Sequence, residues 1–482
     1  MYVADSAAGK AVAECTRPGA DVSDSVAALK SLLTGSVPEG EERRSHHLVQ
    51  LARRYGTTPF TTLREARREL GVTRPEFAEL LRTFGAVPAL REAVRQAPAG
   101  KYWTNTVLPL EARGVLDAAL EGRPVYPSSV GLYPGPSCMF RCHFCVRVTG
   151  AKYEMSTLEG GNAMLASVID EVPTDNPFAV YMSGGLEPLT NPAVGTLVAR
   201  AAARGFKITM YTNSFALTEQ TLNRQPGLWD LNGVRTSLYG LNDEEYEATT
   251  GKKGSFRRVK ANLLRFMKLR TEQDRSVKLG LNYLILPGRA RRLLDLVDYM
   301  EELSAVNPDR PLDFLNLRQD YSGRDDGQLS GSDRSELRDA LAGFEEAVRD
   351  RLPTLDVDYG YALNSMRCGV EANLLRTTTE QMRPRAHPQV AVQLDLLGDV
   401  YLYREAGFPD LPGATRYIAG RVGPGRSLYQ VVDEFVSERR EVAPQSGDEY
   451  FLDGFDQVIT ARLNQLEDDL ADGWGPARGF LR

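Results

Sequence analysis

Six short β-rich runs, each followed by a stretch with helical spacing of apolar residues, occupy the middle of this chain and restrict what it can fold into. The runs are Val130–Tyr133, Phe178–Met182, Lys207–Tyr211, Gly233–Leu238, Lys278–Ile285 and Asp313–Leu317. Helix candidates lie between them at Asn162–Glu171, Val194–Arg204, Leu217–Arg224, Phe256–Arg270 and Arg291–Leu303, with Ser335–Arg351 after the last run. Parallel neighbours need a long crossover, usually a helix, so this alternation predicts a parallel α/β fold. The count stops near six rather than eight, so the expectation is a curved, partial (β/α)6 barrel. Ligands in such folds gather at the C-terminal strand ends, and residues just after each run have the first claim on function.

The flanks read differently. Asp24–Leu33, Arg43–Tyr55 and Thr61–Leu70 carry the spacing of short amphipathic helices, and Thr73, Arg74 and Pro75 open another. After Arg351, Leu355–Tyr361 reads as a strand, Gln389–Leu396 with Val400–Tyr403 as a hairpin, and Leu428–Glu438 and Phe455–Leu470 as helices. The resulting division is an N-terminal helical domain over 1–122, the barrel core over 123–352, and a C-terminal α+β extension over 353–482.

Composition matters here mainly for what it excludes. Lys and Arg number 58 against 64 Asp and Glu, a net charge of −6, which argues against a broad nucleic-acid footprint. No run of about 18 apolar residues occurs, so no membrane partner is expected. The first residues lack the basic-then-apolar pattern of a secretory signal. Five cysteines are too few and too clustered for a disulfide framework, and a reducing, cytoplasmic location is the expectation.

Three of the five, Cys138, Cys142 and Cys145, stand in the loop after the first run. Zinc is one reading, with His143, Cys15 or Cys368 as fourth ligand. Structural zinc favours four closed ligands, usually in pairs, and no second pair exists. An electron-transfer cluster of the ferredoxin type needs a fourth cysteine near the run, and none is there. Three thiolates can instead hold three irons of a 4Fe–4S cluster and leave one iron without a protein ligand. The loop, with Phe144 before its third cysteine, resembles the CxxxCxΦC motif of the radical S-adenosylmethionine (radical SAM) superfamily. That resemblance implies a cluster whose open iron chelates SAM, and a 5′-deoxyadenosyl radical released when one electron arrives from a reductant such as a flavodoxin or ferredoxin.

Further candidates stand at the other strand ends. Ser183, Gly184, Gly185 and Glu187 resemble the family's Gly-Gly-Glu motif with Leu186 inserted, which implies contact with the SAM ammonium. Alone, such a sequence would be a turn. Asn213, after the third run, resembles the family's Thr-Asn-Ser end and implies a SAM contact, although a helix cap would use the same residue type. Ser237 and Tyr239 follow the fourth run. Asn316 and Arg318 end the sixth, with Asp320 and Tyr321 behind them; Arg suits a diphosphate and a carboxylate suits sugar hydroxyls. A solvated loop would look similar. Lys252 and Lys253 lack the spacing of a nucleotide P-loop and read as solvated.

Wider stretches, Tyr133–Gly150, Ser183–Pro192, Arg235–Asp243, Asp320–Asp326 and Tyr401–Asp410, are similar to the radical SAM ammonia-lyases of desosamine biosynthesis. This implies a nucleotide-sugar substrate, TDP-4-amino-4,6-dideoxy-D-glucose, deaminated at C4 after hydrogen abstraction at C3, with Asp320, Tyr321 and Tyr239 as acid–base candidates. No further cysteine group exists, so one cluster is expected. A nucleotide-sugar dehydrogenase and a metal-stabilised, non-enzymatic interaction module remain as alternatives.

Overall fold

The computed structural model describes residues 39–145, 150–151, 153–183, 185–319, 329–367, 375–407, 411–475 and 479–482. The expected helix Asp24–Leu33, together with Cys15, Cys368, Gly184, Asp320 and Tyr321, lies outside the described residues. Among the described residues no helix is long and apolar enough to cross a membrane.

The chain forms two compact units. A helical unit contains the chain up to Glu121 together with Tyr361–Thr377 and Gly454–Arg482; a sheet unit contains Gly122–Gly360 and Thr378–Asp453. The segment 353–482, expected as a separate extension, is thus shared between them. Its strands continue the sheet, and its last long helix belongs with the N-terminal helices.

In the helical unit, Glu39–Thr57, Leu63–Leu70, Arg74–Ala86 and Pro88–Gln96 bear out the amphipathic spacing. Thr62 and Glu65 form a reciprocal capping box that satisfies orphan amides at one helix start. Pro75 sits in the first turn of the next helix, where its missing N–H costs nothing. Tyr55, Phe77, Phe84, Trp103 and Leu463 are buried in this unit's core. A fully buried ion pair joins Arg462 of the helix Gly454–Ala471 to Glu111 at 2.6 Å.

The sheet unit is built on ten strands: β1 Ser129–Leu132, β2 Val180–Met182, β3 Thr209–Thr212, β4 Gly233–Leu238, β5 Lys278–Ile285, β6 Phe314–Gln319, β7 Asp356–Tyr359, β8 Ala391–Leu394, β9 Asp399–Tyr401 and β10 Ile418–Arg421. Their order is β10-β9-β8-β1-β2-β3-β4-β5-β6-β7. Strands β1 to β6 are the six expected runs, all parallel to their neighbours. Two more parallel strands flank them, β8 beside β1 and β7 beside β6; the expected hairpin is the antiparallel pair β8 and β9, and β10 adds antiparallel to β9. The expected hairpin therefore extends the main sheet.

Alternation along each strand sorts the side chains. Val234, Thr236 and Leu238 of β4 and Leu279, Leu281, Tyr283 and Ile285 of β5 are buried on one face. The opposite face carries Tyr211, Arg235, Ser237, Asn282, Asn316, Arg318 and Asp358, because side chains two residues apart share a face. Register aligns Ser237 with Asn282, Asn282 with Asn316, and Asn316 with Asp358, which makes a polar row across four parallel strands.

Candidate active site

The cysteine loop begins in a two-residue antiparallel pairing, Ser137–Cys138 with Gly150–Ala151, just beyond β1. Its tip is fixed by backbone bonds: Arg141 N–H donates to Thr250 C=O (2.8 Å), His143 N–H to Thr249 C=O (3.2 Å), and Cys145 N–H closes a turn on Cys142 C=O (2.9 Å). All three cysteines are partly exposed and none is in a disulfide. Burial pushes the Cys142 thiol well above its ordinary pKa, and the neighbouring Cys145 and Cys138 push it further. Among the described residues no three His, Cys, Asp or Glu side chains converge on one ion. A cluster makes no such demand, because each thiolate takes its own iron.

Glu187 begins a 3-10 turn after β2 and is buried. Its carboxylate accepts from Leu189 N–H (3.2 Å), from the Thr212 hydroxyl (2.5 Å) and from Asn213 N–H (2.8 Å). Burial raises its pKa, and these three donors pull it back. Glu187 thereby ties the end of β2 to the end of β3. Gly185, two residues before it, adopts a left-handed conformation (φ 59), and a Cβ there would come within 3.0 Å of Tyr133. Ser183 is partly exposed and donates its N–H to Leu132 C=O at 3.3 Å.

Asn213 is buried at the end of β3, with its amide nitrogen 3.9 Å from Cys138 Sγ and 3.2 Å from Met139 Sδ. Its Oδ1 accepts from Phe215 N–H at 3.0 Å, a local cap as well as a neighbour of the cysteines. Tyr239 packs its ring against Phe144 (centroids 5.6 Å) and Phe140 (6.4 Å). Its hydroxyl hydrogen-bonds with Ser237 and Cys142, and burial pushes its pKa well above 10. The structure thus brings Phe144, Asn213, Ser237 and Tyr239 together beside the cysteines.

Asn316 and Arg318 stand apart in a second group. With its amide oriented for best hydrogen bonding, Asn316 donates to Asp358 Oδ2 (3.0 Å) and accepts from Arg235 Nε (3.1 Å). Arg318 reaches the same Asp358 oxygen at 2.9 Å. Arg235 donates to the Tyr211 hydroxyl (2.5 Å) and lies 4.7 Å from the Tyr211 ring centroid and 5.3 Å from that of Phe314. Sequence reasoning singled out neither Arg235 nor Asp358 as a site residue. The period-2 pattern that places Asn316 on this face places Arg235 there too, and Asp358 needed the β6–β7 pairing.

The sequence profile described as "Radical SAM superfamily" matches residues 132–299, from the end of β1 past β5. A Streptomyces venezuelae protein named dTDP-4-amino-4,6-dideoxy-D-glucose ammonia-lyase is 64% identical over 471 residues, covering 97% of each chain. This chain belongs to the radical SAM superfamily. Solved structures with similarity include Streptococcus suis SuiB bound to its precursor peptide SuiA (14% identity, 84% of each chain, TM-score 0.45). Another is anSMEcpe with bound AdoMet (14% identity, 73% of this chain and 100% of the other, TM-score 0.43).

As in the superfamily, the cofactors are a 4Fe–4S cluster and SAM, and the donor set described above suits that cluster. Three free thiols at one loop are the ones that would hold three of its irons, and the Tyr239 phenol and Asn213 amide lie beside them.

Proposed function

We propose that this radical SAM enzyme is an ammonia-lyase acting on dTDP-4-amino-4,6-dideoxy-D-glucose. The reading is carried by the 64% identity to the Streptomyces venezuelae enzyme of that name, which spans 97% of both chains. At the sugar, the C3 carbinol becomes a ketone and C4 exchanges its amine for hydrogen, so NH3 leaves and atoms balance. The cluster and SAM together supply the radical that removes the C3 hydrogen. The protein's own work is to hold the ligands, exclude water and manage protons.

Cys138, Cys142 and Cys145 hold the cluster, and Ser183, Gly184, Gly185, Glu187 and Asn213 belong to the SAM side, with Phe144 and Ser237 beside them. The sugar nucleotide takes Arg318 and Asn316, together with Arg235 and Asp358; Arg318 pairs with Asp358 directly and Arg235 is linked to it through Asn316, and the two guanidinium groups suit a diphosphate. Tyr239, with its raised pKa, keeps its proton near neutrality and serves as a donor rather than a base. Asp320 and Tyr321 remain the acid–base candidates. The electron comes from an external one-electron carrier.

An anaerobic assay with the 4-amino sugar decides the reading. Release of ammonia with the 3-keto sugar is expected. Ketone formation and SAM cleavage without ammonia would replace the lyase with a dehydrogenase.

A further inference from the structure

Five basic side chains crowd the edge of the cysteine loop in a chain whose net charge is −6. Arg141 is exposed at the loop tip, between Cys138 and Cys145. The bonds from the backbone of Arg141 and His143 to Thr250 and Thr249 press that tip against the end of the helix Asp243–Thr250. Lys252 and Lys253 follow immediately, and Arg257 and Arg258 lie in the first turn of the next helix, Ser255–Glu272.

The arrangement reaches inward. Lys252 Nζ lies 4.9 Å and Arg258 Cζ 4.0 Å from the centroid of the Phe215 ring. Phe215 in turn meets Phe140 edge-on at 5.6 Å, and Phe140 is the buried residue between Cys138 and Cys142. Two ring contacts therefore separate these cations from the cysteines. The helix Asp243–Thr250 carries four carboxylates; Glu245 is paired with Arg292 at 2.9 Å, which leaves Asp243, Glu244 and Glu247 beside the patch. Lys253 pairs with Glu247 (3.7 Å) and Arg257 with Asp243 (2.5 Å), whereas Arg141, Lys252 and Arg258 have no ion pair among the described residues. Five cations against three carboxylates leave this face positive on a negative molecule.

We propose that Arg141, Lys252, Lys253, Arg257 and Arg258 form the docking surface for an acidic one-electron carrier protein that reduces the cluster. The proposal rests on the cysteine loop being the cluster site. A local field of this sign steers an acidic protein to one face, and does so against the repulsion of the remaining surface. Docking at that face also places the carrier over the partly exposed cysteines, where the electron is needed.

The test measures reduction of the loaded cluster by a reduced acidic flavodoxin in stopped flow, without sugar, so that failure of the lyase reading does not affect it. Wild-type rates are expected to fall as salt rises. The triple variant Arg141→Glu, Lys252→Glu, Arg258→Glu should be reduced at least about 10-fold more slowly at low salt, with the dithionite rate unchanged. Carbodiimide cross-linking to the flavodoxin, which needs no turnover, should be lost in parallel. Since Lys252 and Arg258 pack on Phe215, Lys253→Glu with Arg257→Glu is a second variant; their side chains are 88% and 82% exposed. Unchanged flavodoxin rates and cross-linking in both variants would overturn the proposal, as would equal slowing with dithionite. A raised KM for the sugar nucleotide with flavodoxin reduction unaffected would assign the patch to the substrate's diphosphate instead.

Discussion

Burial alone would drive the Glu187 carboxyl to keep its proton, yet Leu189 N–H, Asn213 N–H and the Thr212 hydroxyl all point donors at it. An ionised acceptor is what such a cage requires. Glu187→Gln puts an NH2 against one of those donors, and only the Thr212 hydroxyl can turn away. Leaving an amide opposed in a buried site costs about 1–3 kcal/mol, which denaturant unfolding of the metal-free protein would measure. SAM affinity should fall with it. The Gly-Gly-x-Glu sequence announced this residue but not its partners, because Thr212 and Asn213 are contributed by another strand. Arg318 was legible for the same kind of reason, a charged residue at a strand end. Its carboxylate partner Asp358 lies 40 residues on and was invisible until β6 and β7 paired. Arg318→Met should raise KM for the sugar nucleotide about 10-fold or more while cluster absorbance stays intact. An unchanged KM would remove Arg318 from the substrate site.

At the scale of elements, the alternation of runs and helices located β1 to β6, since apolar periodicity is a local property. Their neighbours β7 and β8 were read as strands but not as sheet members, because pairing depends on contacts between residues far apart in sequence. Gly280 illustrates what pairing adds. In β5 it sits opposite Phe314 of β6, and a Cβ built on it would come within 2.1 Å of the Phe314 ring. The missing side chain lets that ring lie flat across the sheet, where it also flanks Arg235. Gly280→Ala forces the ring to move and should cost about 1–3 kcal/mol by overpacking. It should also weaken sugar-nucleotide binding by freeing Arg235 from one of its two aromatic walls. Calorimetric binding of the nucleotide diphosphate, compared with Arg235→Met, would show whether the two changes act through the same group.

For the molecule as a whole, the two units are assembled from interleaved segments, and the helical one draws its last helix, Gly454–Ala471, from the far end of the chain. That helix carries Asp469, a buried residue whose carboxylate accepts from Leu63 N–H at 2.7 Å. Burial pushes its pKa from 3.8 up to about 6, against the pull of the Leu63 bond and Arg462. A carboxyl with a raised folded-state pKa contributes stability that is fully present below 3.8 and lost as pH rises through about 6. Above that pH the ionised group burdens the helical unit by at most about 3 kcal/mol. Asp469→Asn keeps an acceptor for Leu63 and never ionises. It should therefore be more stable than the wild type at pH 7.5, with the advantage shrinking as pH falls toward 4. Scanning calorimetry at both pH values checks this, and the change should appear in the transition of the helical unit while the sheet unit, with its cysteine loop, unfolds unchanged. A variant no more stable than the wild type at pH 7.5 would mean that Asp469 is stabilised as a carboxylate by Arg462 and the Leu63 amide.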